Sequence, residues 1–107
     1  MSTVIDVHTH MMSRPYIERL VEHGGPKYTV KAVPGGQQAI HLNGAPFTTL
    51  YDEMFDYERR IANMDRAGVD VAIVSLTCPN VFWGGREISV ETARHINDDM
   101  SRAQKTY

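Results

Sequence analysis

Two histidines one residue apart, His8 and His10, are the residues whose type and spacing point most directly to chemistry. They end the segment Ile5-Asp-Val-His-Thr-His10, which is typical of a short strand. Side chains at i and i+2 of a strand point to the same side, so the two imidazoles are expected to converge where the strand ends. Two neutral imidazoles on one face suit a divalent metal such as zinc. The spacing therefore predicts half of a metal site, and the alternative is an ordinary strand-end loop.

Four further residues are candidates for supporting roles. Asp6 alternates with His8 and is predicted to orient a metal ligand, the alternative being a buried aspartate without influence on the metal. Phe82 and Trp83 follow the second predicted strand in a loop that contains glycine, and they could wall a pocket for a planar substrate. Asn80 could supply a polar contact from the same loop. The alternative for the aromatic pair is simple loop packing.

Composition excludes several classes of function. A formal net charge of −2, with 42% hydrophobic and 22% charged residues, is typical of a globular domain and predicts no nucleic-acid partner. No apolar run approaches the roughly 20 residues that span a bilayer, and no signal peptide opens the chain, so we expect no membrane partner. The single cysteine, Cys78, predicts a reducing, cytoplasmic location, and we expect it to be a buried, inert thiol.

The first half of the chain is predicted to hold a strand, a helix and a small β insert. The strand covers residues 3–8, and its apolar pattern indicates a buried strand. Ser13 is placed to cap a helix that has Pro15 in its first turn. Residues 28–47 alternate around two turn signals, which indicates a β-hairpin with a short third strand. His41 lies in this insert and is interpreted as a surface residue, the alternative being a lid residue.

The second half is predicted to hold a helix, a buried strand and a last helix. Asp56 is a good N-cap for the helix, and Gly68 is placed to end it. Val69–Leu76 is almost continuously aliphatic, as in a strand that is covered on both faces of a parallel sheet. Ser89 is predicted to cap the last helix. The apolar positions of this helix predict a buried side formed by Ala93, Ile96, Met100 and Ala103.

The order of these elements indicates part of an α/β barrel. Two parallel strands do not make a stable sheet alone, and a complete barrel of eight strand–helix units needs about 250 residues. We therefore interpret residues 1–107 as the N-terminal part of a single barrel domain whose remainder lies outside this chain. The alternative is that a partner completes the sheet.

Two segments resemble a known family. Ile5–His10, close to the N-terminus, resembles the strand-one signature of the amidohydrolase superfamily. Ile61–Leu76 resembles the second helix and strand of the aminocarboxymuconate-semialdehyde decarboxylase-like branch, often called amidohydrolase 2. The β insert and Asn97-Asp-Asp99 are similar to that branch as well. The resemblance covers the whole chain but only the first third of a typical member.

The resemblance implies a metal-dependent (β/α)8 TIM barrel. Members of the branch carry out nonoxidative decarboxylation of aromatic or unsaturated carboxylic acids, or hydrolysis, and they often form homodimers. By resemblance, His8 and His10 are the first two metal ligands, with zinc expected and manganese as the alternative. The family takes its other ligands, a histidine and an aspartate, and its catalytic base from later strands, beyond residue 107. The implied substrate is a small carboxylic acid.

One departure from the family pattern keeps other functions open. The decarboxylase holds a substrate carboxylate with an arginine just before the second helix, but Phe47–Tyr51 contains none, and Arg59 and Arg60 follow a turn or more later. One alternative function is metal-dependent hydrolysis of an ester, lactone or amide. Another is an inactive truncated fragment or a partner-completed subunit. We expect the 107-residue chain alone to be inactive.

Overall fold

The computed structural model describes residues 2–107, which form two small sheets and three helices. In chain order the elements are β1 (Ile5–His10), α1 (Arg14–Gly24), β2 (Tyr28–Ala32), β3 (Gln38–Leu42), β4 (Ala45–Leu50), a 3-10 turn (Asp52–Met54), α2 (Tyr57–Ala67), β5 (Val71–Ser75) and α3 (Gly85–Thr106). This order confirms the predicted succession of strand, helix, antiparallel strands, helix, strand and helix. Whether the parallel strands belong to an eight-stranded barrel stays a prediction at this point.

The first and last strands form a parallel pair. Ile5 lies opposite Val71 at one end, and His10 lies opposite Ser75 at the other. The register shifts between Asp6 and Thr9, where β1 contains one residue more than β5. Paired residues of neighbouring strands project to the same face. The register therefore places the side chain of Ser75 beside that of His10.

The middle of the chain forms a three-stranded antiparallel sheet in the order β2-β3-β4. Asn43 and Gly44 make the turn between β3 and β4 with positive φ angles of 51° and 84°, which asparagine and glycine tolerate best. The predicted hairpin and third strand are thus present, and the sheet continues to Leu50, beyond the predicted boundary at residue 47. Its role as an insert in a larger barrel stays a prediction.

The hydrophobic core lies around α1 rather than around the parallel strands. Tyr16 and Leu20 of α1 and Ile40 of β3 are fully buried. The other buried residues of the same cluster are Met12, Ile17, Leu50 and Ile96. The core therefore joins α1 to the antiparallel sheet on one side and to α3 on the other.

The N-caps of α1 and α2 are the residues that the sequence predicts. The Ser13 hydroxyl accepts a hydrogen bond from the Tyr16 N–H at 3.2 Å, and Asp56 accepts one from the Arg59 N–H at 3.1 Å. Gly68 ends α2 in the left-handed conformation with a φ angle of 73°. These caps depend only on nearby backbone groups, which is why they could be predicted from the sequence.

The predicted start of the last helix was wrong. Helix α3 begins at Gly85, with Gly84 rather than Ser89 at the N-cap. Ile88 packs closely over Gly84, where an added Cβ would lie 2.5 Å from Cγ2 of Ile88. This close approach needs glycine, and it accompanies an additional first turn of helix. Of the predicted buried side, Ile96 is buried, and the other three positions are half-buried: Ala93, Met100 and Ala103.

The two parallel strands are much more exposed than predicted. Val7 is 76% exposed and Ile73 is 53% exposed, although both belong to segments that were predicted to be buried. The physical reason is that, among residues 2–107, β1 and β5 pair only with each other. An apolar sequence pattern indicates that a strand is suited to burial, but the strand is buried only where neighbouring elements cover it.

Two single residues also differ from expectation. His41 is 7% exposed, and its Nδ1 lies 3.0 Å from the carbonyl oxygen of Ala39, so its interpretation as a surface residue was wrong. Cys78 is exposed rather than buried. No helix of the described part of the chain combines the length and apolar character that crossing a membrane requires.

Candidate functional site

The two histidines converge at the carboxyl end of β1. The Nε2 atoms of His8 and His10 are 3.1 Å apart, and the ring centroids are 4.8 Å apart with the ring planes nearly perpendicular. His8 is exposed and His10 is half-buried, so both residues are accessible to solvent. The structure thus brings together the pair that the His-Thr-His spacing predicts.

The pair has the geometry of two ligands to one cation. Zinc binds imidazole nitrogens at about 2.0–2.1 Å, so tetrahedral coordination separates two such nitrogens by about 3.3 Å. The 3.1 Å between the two Nε2 atoms is close to that separation. Within residues 2–107, no group of three or more histidine, cysteine, aspartate or glutamate side chains is placed to hold a metal. The described residues therefore fit a divalent metal as two of its ligands.

His10 is held by two residues that the sequence did not single out for this role. The Ser75 hydroxyl and the Ser75 carbonyl oxygen lie 3.2 Å and 3.3 Å from Nδ1 of His10. The Arg60 guanidinium donates a hydrogen bond to the His10 carbonyl oxygen at 3.1 Å. Ser75 was recognisable as the polar residue that ends the second parallel strand. The contact of Arg60 depends on how α2 crosses the sheet, and no sequence signal marks it.

Asp6 contacts the backbone of His8. Its Oδ1 accepts a hydrogen bond from the His8 N–H at 3.1 Å, at the place where the register of β1 shifts. The carboxylate therefore stabilises the local path of the strand that presents His8. This is a positioning contact with the main chain, whereas the sequence predicted an effect on a ligand side chain.

The chain is firmly anchored directly after the histidines. Met11 and Met12 are 1% and 3% exposed. The Met11 N–H donates to the Ser75 carbonyl oxygen at 3.2 Å, and the Met12 N–H donates to the Met54 carbonyl oxygen at 2.7 Å. The end of β1 is therefore fixed both to β5 and to the 3-10 turn, which limits the movement of His10.

The predicted aromatic pair separates into two environments. Trp83 packs against Tyr16, with ring centroids 6.0 Å apart, and its Nε1–H donates to the Asn80 carbonyl oxygen at 2.6 Å. The Tyr16 hydroxyl donates to the same oxygen at 2.5 Å. Phe82 is 83% exposed. Trp83 thus takes part in loop packing, Asn80 contributes its carbonyl group, and Phe82 remains accessible.

Burial of Tyr16 changes its acidity. Removal of the phenol from water raises the pKa of Tyr16 to about 12. Burial also raises the pKa of Tyr57 on α2, with a smaller contribution from the nearby carboxylate of Asp99. Both phenols lie in packing positions, so their shifts report burial rather than catalysis.

The antiparallel sheet reaches the loop that follows β5. The Thr48 hydroxyl of β4 donates to the Cys78 carbonyl oxygen at 3.5 Å. This contact links β4 to the loop that follows Ser75, the neighbour of His10. The sheet thus approaches the ends of the strands that carry the candidate site.

Comparisons with known proteins identify a curated relative and solved structures that share the fold. The 2-amino-3-carboxymuconate-6-semialdehyde decarboxylase of Caenorhabditis elegans is 31% identical over 102 residues, which cover 92% of this chain and 25% of that protein. The crystal structure of Metarhizium anisopliae IDCase in apo form matches with a TM-score of 0.80 and 22% identity. This match covers 98% of this chain and 32% of that chain, and at this identity it shows the fold. No protein-family model matches the chain.

These matches agree in extent with the sequence resemblance. The chain spans 25% of the curated relative and 32% of the solved structure. The α/β arrangement of the described residues is shared with part of the IDCase fold. The resemblance of the chain to the aminocarboxymuconate-semialdehyde decarboxylase-like branch of the amidohydrolase superfamily is confirmed, and the chain matches about a quarter of the length of the curated relative.

Proposed function

We propose that this chain forms the first part of a metal-dependent (β/α)8 barrel, and that the whole protein is a nonoxidative decarboxylase of an aromatic or unsaturated carboxylic acid. The observation that carries the proposal is the convergence of two Nε2 atoms, 3.1 Å apart, at the carboxyl end of β1. Barrel enzymes of this architecture carry their active sites at the carboxyl ends of their strands. The named activity of the C. elegans relative supports decarboxylation as the reaction.

In this proposal His8 and His10 hold a divalent metal, zinc in the first place and manganese as the alternative. A bound divalent metal would polarise a carboxylate or adjacent oxygen of the substrate. Ser75 keeps the ring of His10 in place, and Asp6 fixes the backbone of His8. The other ligands and the acid that protonates the carbon losing carbon dioxide are assigned to later strands of the whole protein.

The exposure of the parallel strands supports the barrel proposal. Val7, Ile5 and Ile73 are 76%, 53% and 53% exposed. In a closed barrel, such side chains are covered by layers of interior side chains on one face and by helices on the other. The apolar character of β1 and β5 therefore fits a position between further strand–helix units.

We also propose positions for the antiparallel sheet and for Phe82. The contact of Thr48 with the Cys78 carbonyl supports placing the β2-β3-β4 sheet over the mouth of the barrel as an insert. Phe82, exposed in the loop after β5, is then available to wall the substrate pocket. In this proposal the substrate is a small carboxylic acid and the protein forms a homodimer in the cytoplasm. It has no nucleic-acid or membrane partner.

Product analysis of the full-length protein tests the reaction. A panel of aromatic and unsaturated acids labelled with ¹³C at the carboxyl group is incubated with enzyme, and labelled carbon dioxide is measured by mass spectrometry. We expect the unsubstituted enzyme to release labelled carbon dioxide. The rate of release should fall at least 100-fold in His8→Asn and in His10→Asn. His23→Asn is the matched control, since His23 lies in the last turn of α1 beside Glu22, and this variant should retain activity. Cleavage of esters or lactones without release of label would contradict the decarboxylase and favour the hydrolase.

A further inference from the structure

We propose that Ser75 is a positioning residue that fixes the tautomer of His10, so that the His10 Nε2 lone pair faces the position of the metal. The inference rests on the proposed function only in its reference to a metal. Three features of the contact carry it.

The first feature is the register of the parallel pair. Ser75 is the residue of β5 that pairs with His10 of β1, and paired side chains project to the same face. The Ser75 Oγ consequently lies 3.2 Å from His10 Nδ1, and the Ser75 carbonyl oxygen lies 3.3 Å from it. Two oxygens of one residue therefore meet the same ring nitrogen.

The second feature is the chemistry of these oxygens. A backbone carbonyl oxygen only accepts hydrogen bonds, whereas a hydroxyl accepts and donates. Nδ1 must therefore carry the proton of the neutral ring to bond to the Ser75 carbonyl. A neutral imidazole protonated at Nδ1 has its lone pair at Nε2. Ser75 thus prepares the Nε2 of His10 as a ligand before any cation arrives.

The third feature explains why the hydroxyl is needed in addition to the carbonyl. The Ser75 carbonyl oxygen also accepts the Met11 N–H at 3.2 Å, so two donors share it. The hydroxyl gives Nδ1 an acceptor of its own. Fixing the tautomer and orientation of a ligating histidine in this way typically changes metal affinity by 10- to 100-fold.

The two histidines consequently differ. Because His10 Nε2 carries a lone pair, the His8 Nε2–H donates a hydrogen bond to His10 Nε2, 3.1 Å away, in the metal-free chain. His8 is therefore protonated at Nε2 and His10 at Nδ1. Only His8 needs to move its proton to the other ring nitrogen when both lone pairs bind a cation.

Nitrogen-15 NMR of the metal-free 107-residue chain tests the inference. The chain is labelled at histidine, and long-range proton–nitrogen spectra are recorded at pH 8, where histidine is ordinarily neutral. We expect His10 to be protonated at Nδ1. Ser75→Ala should give a mixture of tautomers at His10 and weaken zinc binding about 10-fold. Ser75→Thr keeps the hydroxyl and should restore both, and Ser101→Ala, a serine on the exposed side of α3, should change neither.

The outcomes separate this inference from the proposed function. His10 protonated at Nε2 in the unsubstituted chain would overturn the role of Ser75, even if Ser75→Ala fails to fold. A spectrum of Ser75→Ala that keeps His10 fully protonated at Nδ1 would overturn the need for the hydroxyl. If His10 has the expected tautomer but zinc shifts neither histidine in the full-length protein, the role of Ser75 stands and the metal site of the proposed function fails.

Discussion

The two sheets of this molecule differ in what supports them. In the antiparallel sheet, Ile40 of β3 has a strand on each side and is fully buried against the core around Leu20. In the parallel pair, Val7 and Ile73 belong to equally apolar segments, yet 76% and 53% of their surfaces are exposed. The first region supplies the buried surface, and the second carries His8 and His10.

This difference teaches that folding stability and chemistry reside in separate parts of the chain. Burial of apolar surface is the main stabilising term, so the free energy of unfolding should depend on α1 and the antiparallel sheet. The histidines lie on an exposed strand, so removing one of their side chains should change the free energy of unfolding little. Substitutions in the two regions therefore make distinct predictions.

The largest effect is expected for Leu20→Ala in the core. Removing a fully buried leucine side chain should lower the free energy of unfolding by about 2–5 kcal/mol, because contacts are lost and a cavity forms. Val7→Ala on β1 is the matched change and should cost less than about 0.5 kcal/mol. Urea denaturation followed by circular dichroism measures both. Equal effects would show that the parallel pair is as well packed as the core.

The second effect concerns pH and Tyr16. Its pKa is raised from 10.0 to about 12 in the folded chain, so the unfolded chain loses this proton first as pH rises. The stability due to burial of the neutral phenol is complete below pH 10 and decreases between pH 10 and 12. Urea midpoints across this range should fall less steeply in Tyr16→Phe than in the unsubstituted chain. The exposed Tyr51 gives the control Tyr51→Phe, and an identical slope in all three proteins would refute the assignment.

A smaller effect is expected at the cap of α1. Ser13→Ala removes the acceptor of the Tyr16 N–H and should destabilise the chain by about 1 kcal/mol. Ser13→Thr should recover most of the loss. Ser89→Ala is the instructive comparison, because Ser89 lies inside α3 rather than at its N-cap and should change stability by less than about 0.5 kcal/mol. The reverse order of the two alanine variants would contradict the observed helix starts.

The smallest effect on folding is expected for the histidines themselves. His8→Asn should change the free energy of unfolding by less than about 0.5 kcal/mol, because His8 is exposed. His41→Asn is the contrasting variant, since His41 is buried and hydrogen-bonded to the Ala39 carbonyl. This substitution should lower the free energy of unfolding by more than about 1 kcal/mol, the typical cost of losing a buried hydrogen-bond partner. Both values come from the same urea experiment. A large loss for His8→Asn would mean that the site region contributes to the core.

Local features of this fold were predictable from the sequence, and long-range ones were less so. The cap by Asp56, the end of α2 at Gly68 and the turn at Asn43-Gly44 depend on neighbouring backbone groups, so residue type alone indicated them. The start of α3 was missed because it depends on the packing of Ile88 over Gly84. The burial of His41 was missed because a histidine in an alternating strand gives no sign of which face is covered.

The candidate site shows the same division. The spacing of His8 and His10 was sufficient to predict their convergence, since strand geometry sets it. The role of Ser75 follows only from the register between two strands that lie 65 residues apart in sequence. Trp83 was placed by its contact with Tyr16, which depends on how α1 packs against the loop. Contacts within one element were therefore predictable, and contacts between elements required the structure.

The most direct test of the central claim is a zinc titration of the full-length protein, which supplies the remaining ligands, observed at the histidine nitrogens by NMR. The account predicts that the Nε2 resonances of His8 and His10 shift together and saturate, while those of His23, His41 and His95 stay in place. Substitution of either His8 or His10 by asparagine should remove the shift of the other. If zinc leaves both unchanged in the full-length protein, or moves the other three histidines instead, the pair at the end of β1 is not a metal site and the central claim is contradicted.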